Sequence, residues 1–130
     1  MALWKKIALG VVATIVIAVG LALYYTAGMV EPIERQLAAI KADDLDAAYA
    51  ETSVAFRKAT SKLQFAVFVK SNPAFRDVVG HSFTERKREN NVGTVKGMLK
   101  TAEGGVFPVE YRLVQENGEW KILGIKIAGR

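Results

Sequence analysis

The apolar and polar positions divide the chain into three stretches of different period. Ile7 to Val30, "IALGVVATIVIAVGLALYYTAGMV", is 24 residues without a charge. As a helix it would extend roughly 36 Å, enough for a hydrocarbon core of about 30 Å. From Pro32 to about Asp77 the apolar residues recur at helical spacing. Ile33, Leu37 and Ile40 form one stripe behind Pro32, a residue suited to a first helical turn. Asp43 is the expected cap of a second helix, with Asp44 and Asp46 favoured by its dipole and with Leu45, Ala48, Tyr49 and Thr52 on one face. Ser61 and Gln64 spell the capping box S-x-x-Q ahead of Leu63, Phe65, Val67, Phe68 and Val69. Asn72-Pro73 is a further start signal, Asn as cap and Pro as first helical residue, for a short turn holding Phe75.

After Asp77 the period falls to two. Val78–Glu89, Val92–Thr101, Val106–Gln115 and Glu119–Ala128 alternate and are rich in β-branched and aromatic residues. Asn90-Asn91, Gly104-Gly105 and Asn117-Gly118 separate them as hairpin turns. Phe107, Val109, Tyr111 and Leu113 share one face of the third strand. In the fourth, Ile125 and Ile127 fall out of phase with Trp120 and Ile122, and Gly124 is the natural place for a bulge that restores the register. Helices followed by a four-stranded antiparallel meander predict an α+β domain with the helices on one sheet face.

Charge orients the first stretch. Lys5 and Lys6 precede it, and Glu31, Glu34 and Arg35 follow. The positive-inside rule then puts the N-terminus in the cytoplasm and residues 31–130 outside, with Trp4 and Tyr24-Tyr25 at the two interfaces. Ala18-Val19-Gly20 and Gly20-Leu21-Ala22 are also acceptable signal-peptidase sites. The apolar run continues past both and exceeds the usual 7–15-residue core of a signal peptide, so an uncleaved anchor over residues 1–30 is the preferred reading. The domain beyond is exported on either reading. The chain has no cysteine, which excludes disulfides, thiolate zinc sites, iron–sulfur clusters, cysteine nucleophiles and a lipid-modified cysteine.

All 13 acidic residues follow Val30, as do all but two of the 18 basic ones, so the exported part carries +3. Acids dominate from Glu31 to Glu51. Arg57, Lys58, Lys62, Lys70 and Arg76 then occur with no acid between Thr52 and Arg76. Spaced through helical pattern in a compartment without nucleic acid, they read as solvated faces near lipid headgroups. Asp43, Asp44 and Asp46 do not follow a calcium-loop spacing, so no metal is expected there. Arg86 and Arg88 of "TERKREN" fall on one face of a strand, a candidate patch for an acidic partner or headgroups.

Three segments carry a resemblance: "DLDAAYAETSVAFRK", with D-x-x-A-A-Y and S-x-x-F-R on a helix; "FAVFVKSNPAFR", a phenylalanine-rich helix leading to N-P-x-F; and "ENGEWKILGIKI", a last strand beginning G-x-W-K-I-x-G. Together they resemble the nuclear-transport-factor-2-like (cystatin-like) superfamily, and within it small exported or membrane-anchored bacterial domains of unknown function. The resemblance spans residues 33–128. It implies a cone of N-terminal helices packed on a curved four-stranded antiparallel sheet. That fold hosts isomerases, dehydratases, transport factors and secretion-machine subunits, so it does not transfer an activity.

Enzymes of the superfamily place an acid–base pair inside the cone, His with Asp or Asp with Tyr. The residues available here are His81, with Asp77 four positions earlier, and Tyr49 and Tyr111 as oxyanion donors. Phe65, Phe68 and Trp120 would complete the lining of an apolar ligand site. Each has a plainer role, as a surface histidine, a core tyrosine with one hydrogen bond, or an aromatic packing helix on sheet. The expectation is therefore a single-pass protein of the bacterial inner membrane whose periplasmic domain, with no catalytic residue and no cofactor or metal, serves as an accessory or assembly module. It would engage lipid through the N-terminal helix and an envelope protein, or a second copy of itself, through its surface. A binder or isomerase-type enzyme for a small apolar molecule is the alternative.

Overall fold

A computed structural model describes residues 28–127. The expected span Ile7–Val30 and the cleavage sites lie outside them but for Gly28, Met29 and Val30. Among the described residues no helix is long and apolar enough to cross a membrane. Five helices precede four strands: α1 Val30–Lys41, α2 Leu45–Ala50, α3 Val54–Ala59, α4 Lys62–Ser71, α5 Pro73–Arg76, then β1 Val78–Glu89, β2 Val92–Thr101, β3 Val106–Glu116 and β4 Glu119–Ile127.

The stripe predicted on α1 is its buried face: Ile33, Leu37 and Ile40 are covered, with Pro32 and Gln36 beside them. The helix ends one residue pair earlier than the acidic run suggested. Asp43 adopts a left-handed backbone, its N–H donating to the Ile40 carbonyl at 3.1 Å while the Asp44 N–H reaches the Ala39 carbonyl at 2.8 Å. That hydrogen-bond pair is a Schellman stop. Asp43 thus terminates α1, and Asp44 caps α2, its carboxylate accepting from the Ala47 N–H at 3.1 Å.

The helix expected to carry both D-x-x-A-A-Y and S-x-x-F-R is broken between them. Glu51–Ser53 run along the edge of β4: the Ser53 N–H donates to the Ile122 carbonyl and the Ile122 N–H to the Glu51 carbonyl. Ser53 then caps α3 by accepting from the Phe56 N–H. Covering a free strand edge outweighs helix continuity here. The capping box at Ser61 and Gln64 is present with both bonds made, 2.8 and 3.2 Å. Asn72 precedes α5 but makes no side-chain cap. Its amide donates back to the Phe68 carbonyl at 2.8 Å and closes α4 instead, while Pro73 opens α5 as expected.

The strands form one antiparallel sheet in the order β1-β2-β3-β4. Asn90, Asn117, Gly104 and Gly118 take the positive φ of the expected turns. Val79, Thr84 and Leu123 are each left unpaired where the register shifts. The β4 bulge thus falls on Leu123, just before Gly124, and brings Ile125 opposite Tyr111 and Ile127 opposite Val109. One sheet face, with Val95, Leu99, Val109, Tyr111, Leu113 and Ile122, is buried against Ile33, Leu37, Ala48, Phe65 and Phe75. The opposite face carries Lys96, Lys100, Glu110 and Arg112.

Met29, the penultimate residue of the apolar run, belongs to this core and is fully buried. A Cβ on Gly93 would collide with its sulfur, so glycine is what lets the chain cross β2 at that point.

Candidate functional site

The residues singled out from the sequence fall into three places. His81 and Phe83 stand on the helix-covered side of β1, opposite Leu99 and Gly97, and their rings stack at 5.1 Å. Gly97 carries no side chain, so Phe83 leans across β2 to meet Tyr111 edge-on at 6.1 Å. The Tyr111 hydroxyl is sealed inside without a hydrogen-bond partner, and burial raises its pKa well above the ordinary phenol value. Asp77 is not part of this strip. It ends α5 and takes two bonds from Arg76, and the Val79 bulge breaks the parity that would align it with His81. The histidine faces Glu34 of α1 instead, at 3.6 Å.

The second place is aromatic. The Tyr49, Phe56 and Phe65 rings lie 5.7–6.5 Å from one another, and Phe68 tilts on Phe75 at 5.4 Å. Tyr49 is fixed by its hydroxyl, which donates to the Thr60 carbonyl at 2.5 Å. Phe56, Thr60, Phe65, Phe68 and Ile125 line a slot of about 190 Å³ between α3, α4 and β4. On the outer side of α4, Leu63 and Val67 are exposed one turn apart, 76% and 58%. Apolar residues on both sides of a surface helix leave one face without a partner.

The third place surrounds Trp120, at the other end of β4. A groove of about 730 Å³ runs between the first turn of α1 and the β3–β4 hairpin. Its charged lining is Glu31, Arg35, Glu51, Arg88, Glu119 and Lys121. Arg35 binds Glu51 through two bonds, 2.9 and 3.2 Å, and that hydrogen bond, with the carboxylate charge, raises the guanidinium pKa against a smaller desolvation effect. Arg88 lies over the Trp120 ring at 5.0 Å and donates to Gln115 at 3.3 Å. The Thr84 bulge shifts strand parity and turns Arg86 and Arg88 towards the helix-covered side, the pair expected on one face. Sequence reasoning named Trp120 but missed the groove. Its acids and bases come from α1, the loop after α2, and three strand ends, and no local spacing links them.

Helices first, then a four-stranded meander closed over an aromatic core, define the nuclear-transport-factor-2-like fold. A solved structure described as an NTF-2 like protein of unknown function from Shewanella oneidensis superposes with a TM-score of 0.61 at 17% identity, covering 80% of this chain and 98% of its own. Residues 25–130 match the family model described as "Domain of unknown function (DUF4864)", and the chain belongs to that family. No curated protein matches it.

Proposed function

We propose that the chain is a single-pass, non-enzymatic accessory or assembly module of the bacterial inner membrane, with its cone-shaped domain in the periplasm. The observation that carries this reading is the junction. The uncharged run ends in Met29, which is buried in the domain core, and α1 starts at Val30. No spacer separates lipid from fold. The tether then sets the orientation: Gly28 packs beside Trp120 and Met29 beside Gly93, so the Asn90-Asn91 and Asn117-Gly118 turns face the bilayer. The unpartnered face of α4, with Leu63, Val67 and Lys70, is left to meet an envelope partner. Confinement to the bilayer raises the effective concentration of such a partner, so a small interface is enough. The absence of an enzymatic role rests on His81, Asp77 and Tyr111, which answer to Glu34, Arg76 and the apolar interior and share no cleft.

Fractionation tests the reading. The full-length chain should stay with alkali-washed inner membranes, and protease added to spheroplasts should cut the exposed Arg57-Lys58 segment. Release by alkali, or protection in spheroplasts, overturns it. A second reading, binding of a small apolar molecule, draws on the slot at Phe65 and Phe68. Native mass spectrometry of the chain purified from its host, showing one stoichiometric apolar ligand lost on Phe68→Trp, would establish it.

A further inference from the structure

We infer that the groove beside Trp120 is a headgroup site for an aminophospholipid, a lipid that carries a phosphate and a primary ammonium together. The inference rests on the anchored reading above. Gly28 is both a wall of the groove and the residue at which the uncharged run meets the domain, so a membrane-spanning run places the groove in the headgroup layer.

The charges suit a ligand of both signs. Three carboxylates and three cations share the lining, so neither a purely anionic nor a purely cationic headgroup is matched. They are not equally committed. Arg35 and Glu51 hold each other through the two short bonds already described, and Glu51 is the shielded member, with 16% of its side chain exposed. Glu31 and Glu119 are each 74% exposed, and their cationic neighbours stand at the limit of ion pairing: Arg35 at 3.9 Å from Glu31, Lys121 at 3.8 Å from Glu119. Exposed pairs of this kind contribute little and exchange partners readily. A headgroup with both charges replaces two loose contacts by two better ones, its phosphate on Lys121 and Arg35 and its ammonium on Glu31 and Glu119. Trp120 supplies an apolar wall for the glycerol end, the role aromatic side chains play at membrane interfaces.

The test uses the full-length chain in nanodiscs containing equal parts phosphatidylethanolamine, phosphatidylglycerol and phosphatidylcholine, with native mass spectrometry reading the lipid retained on release. One phosphatidylethanolamine should be retained in roughly fivefold preference over either other lipid, the scale that two exposed charge contacts give. Glu31→Gln with Glu119→Gln should abolish the preference over phosphatidylglycerol, while Glu103→Gln, on the remote β2–β3 turn, should leave it intact. Equal retention of the three lipids, a preference for phosphatidylglycerol, or a preference that survives the double substitution overturns the inference but leaves the anchor standing. Failure of the chain to enter nanodiscs at all overturns both.

Discussion

The two ends of β4 are built on different physics. At its start, Trp120 sits in a groove held by ion pairs, an arginine over an aromatic ring and a buried methionine. Near its finish, Ile125 closes a slot lined by Phe56, Phe65 and Phe68 with no charged side chain in the lining. The first end gains modestly from each contact and is screened by salt. The second gains from apolar area and ring packing, which salt does not weaken. An end that meets charged headgroups keeps charges that can rearrange, and an end that holds the helices on the sheet keeps contacts that cannot.

Substitutions can break this contrast, from the largest effect to the smallest. Phe65 is fully buried among Tyr49 and Phe56. Phe65→Ala should cost roughly 3–5 kcal/mol in urea unfolding, nearly independently of salt. At the other end, Gly93→Ala forces the Met29 side chain aside and should cost roughly 1–3 kcal/mol. Combining it with Met29→Ala should recover part of that loss, and strict additivity would show that Met29 does not lie on Gly93. A double-mutant cycle on Arg35→Met and Glu51→Gln should give a coupling of about 0.2–1 kcal/mol that shrinks in 1 M salt. A salt-independent coupling would erase the distinction between the two ends.

Tyr111 lies between them and separates the two kinds of burial. Its hydroxyl has no partner, so Tyr111→Phe should be neutral or slightly stabilising at pH 7. The folded pKa lies above the unfolded one, so the native state keeps a proton that the unfolded chain releases. Stability linked to this group is complete below about pH 10 and falls as pH rises beyond it. Thermal melts should show the wild type losing more than Tyr111→Phe between pH 9 and pH 11. Smallest of all, Leu63→Gln on the exposed side of α4 should change stability by less than about 0.5 kcal/mol, two positions from the residue with the largest effect.

Much of the fold was legible because its signals are local. A capping box needs four consecutive residues, a hairpin turn two, and an alternating strand its own side chains, and all of these sit where the spacing put them. Misreadings occurred where a local rule met a distant partner. Asp43 looked like a cap, but the Schellman stop of α1 claimed it. The segment through Thr52 looked helical, but the β4 edge needed Glu51 and Ser53. Asp77 and His81 matched in parity until the Val79 bulge shifted the count.

The sequence by itself determined the order of elements, the turns, which strand faces are apolar, and the uncharged run that precedes the domain, because periodicity and charge are properties of neighbouring residues. Only the tertiary structure decided what meets what: Phe83 reaching Tyr111 across a side-chain-free Gly97, His81 facing Glu34, Met29 inside the core, and six charges from separate elements around Trp120. Those pairings depend on register and on the bulges at Val79, Thr84 and Leu123. A bulge moves every later side chain to the other face through backbone hydrogen bonds that no short stretch of sequence contains.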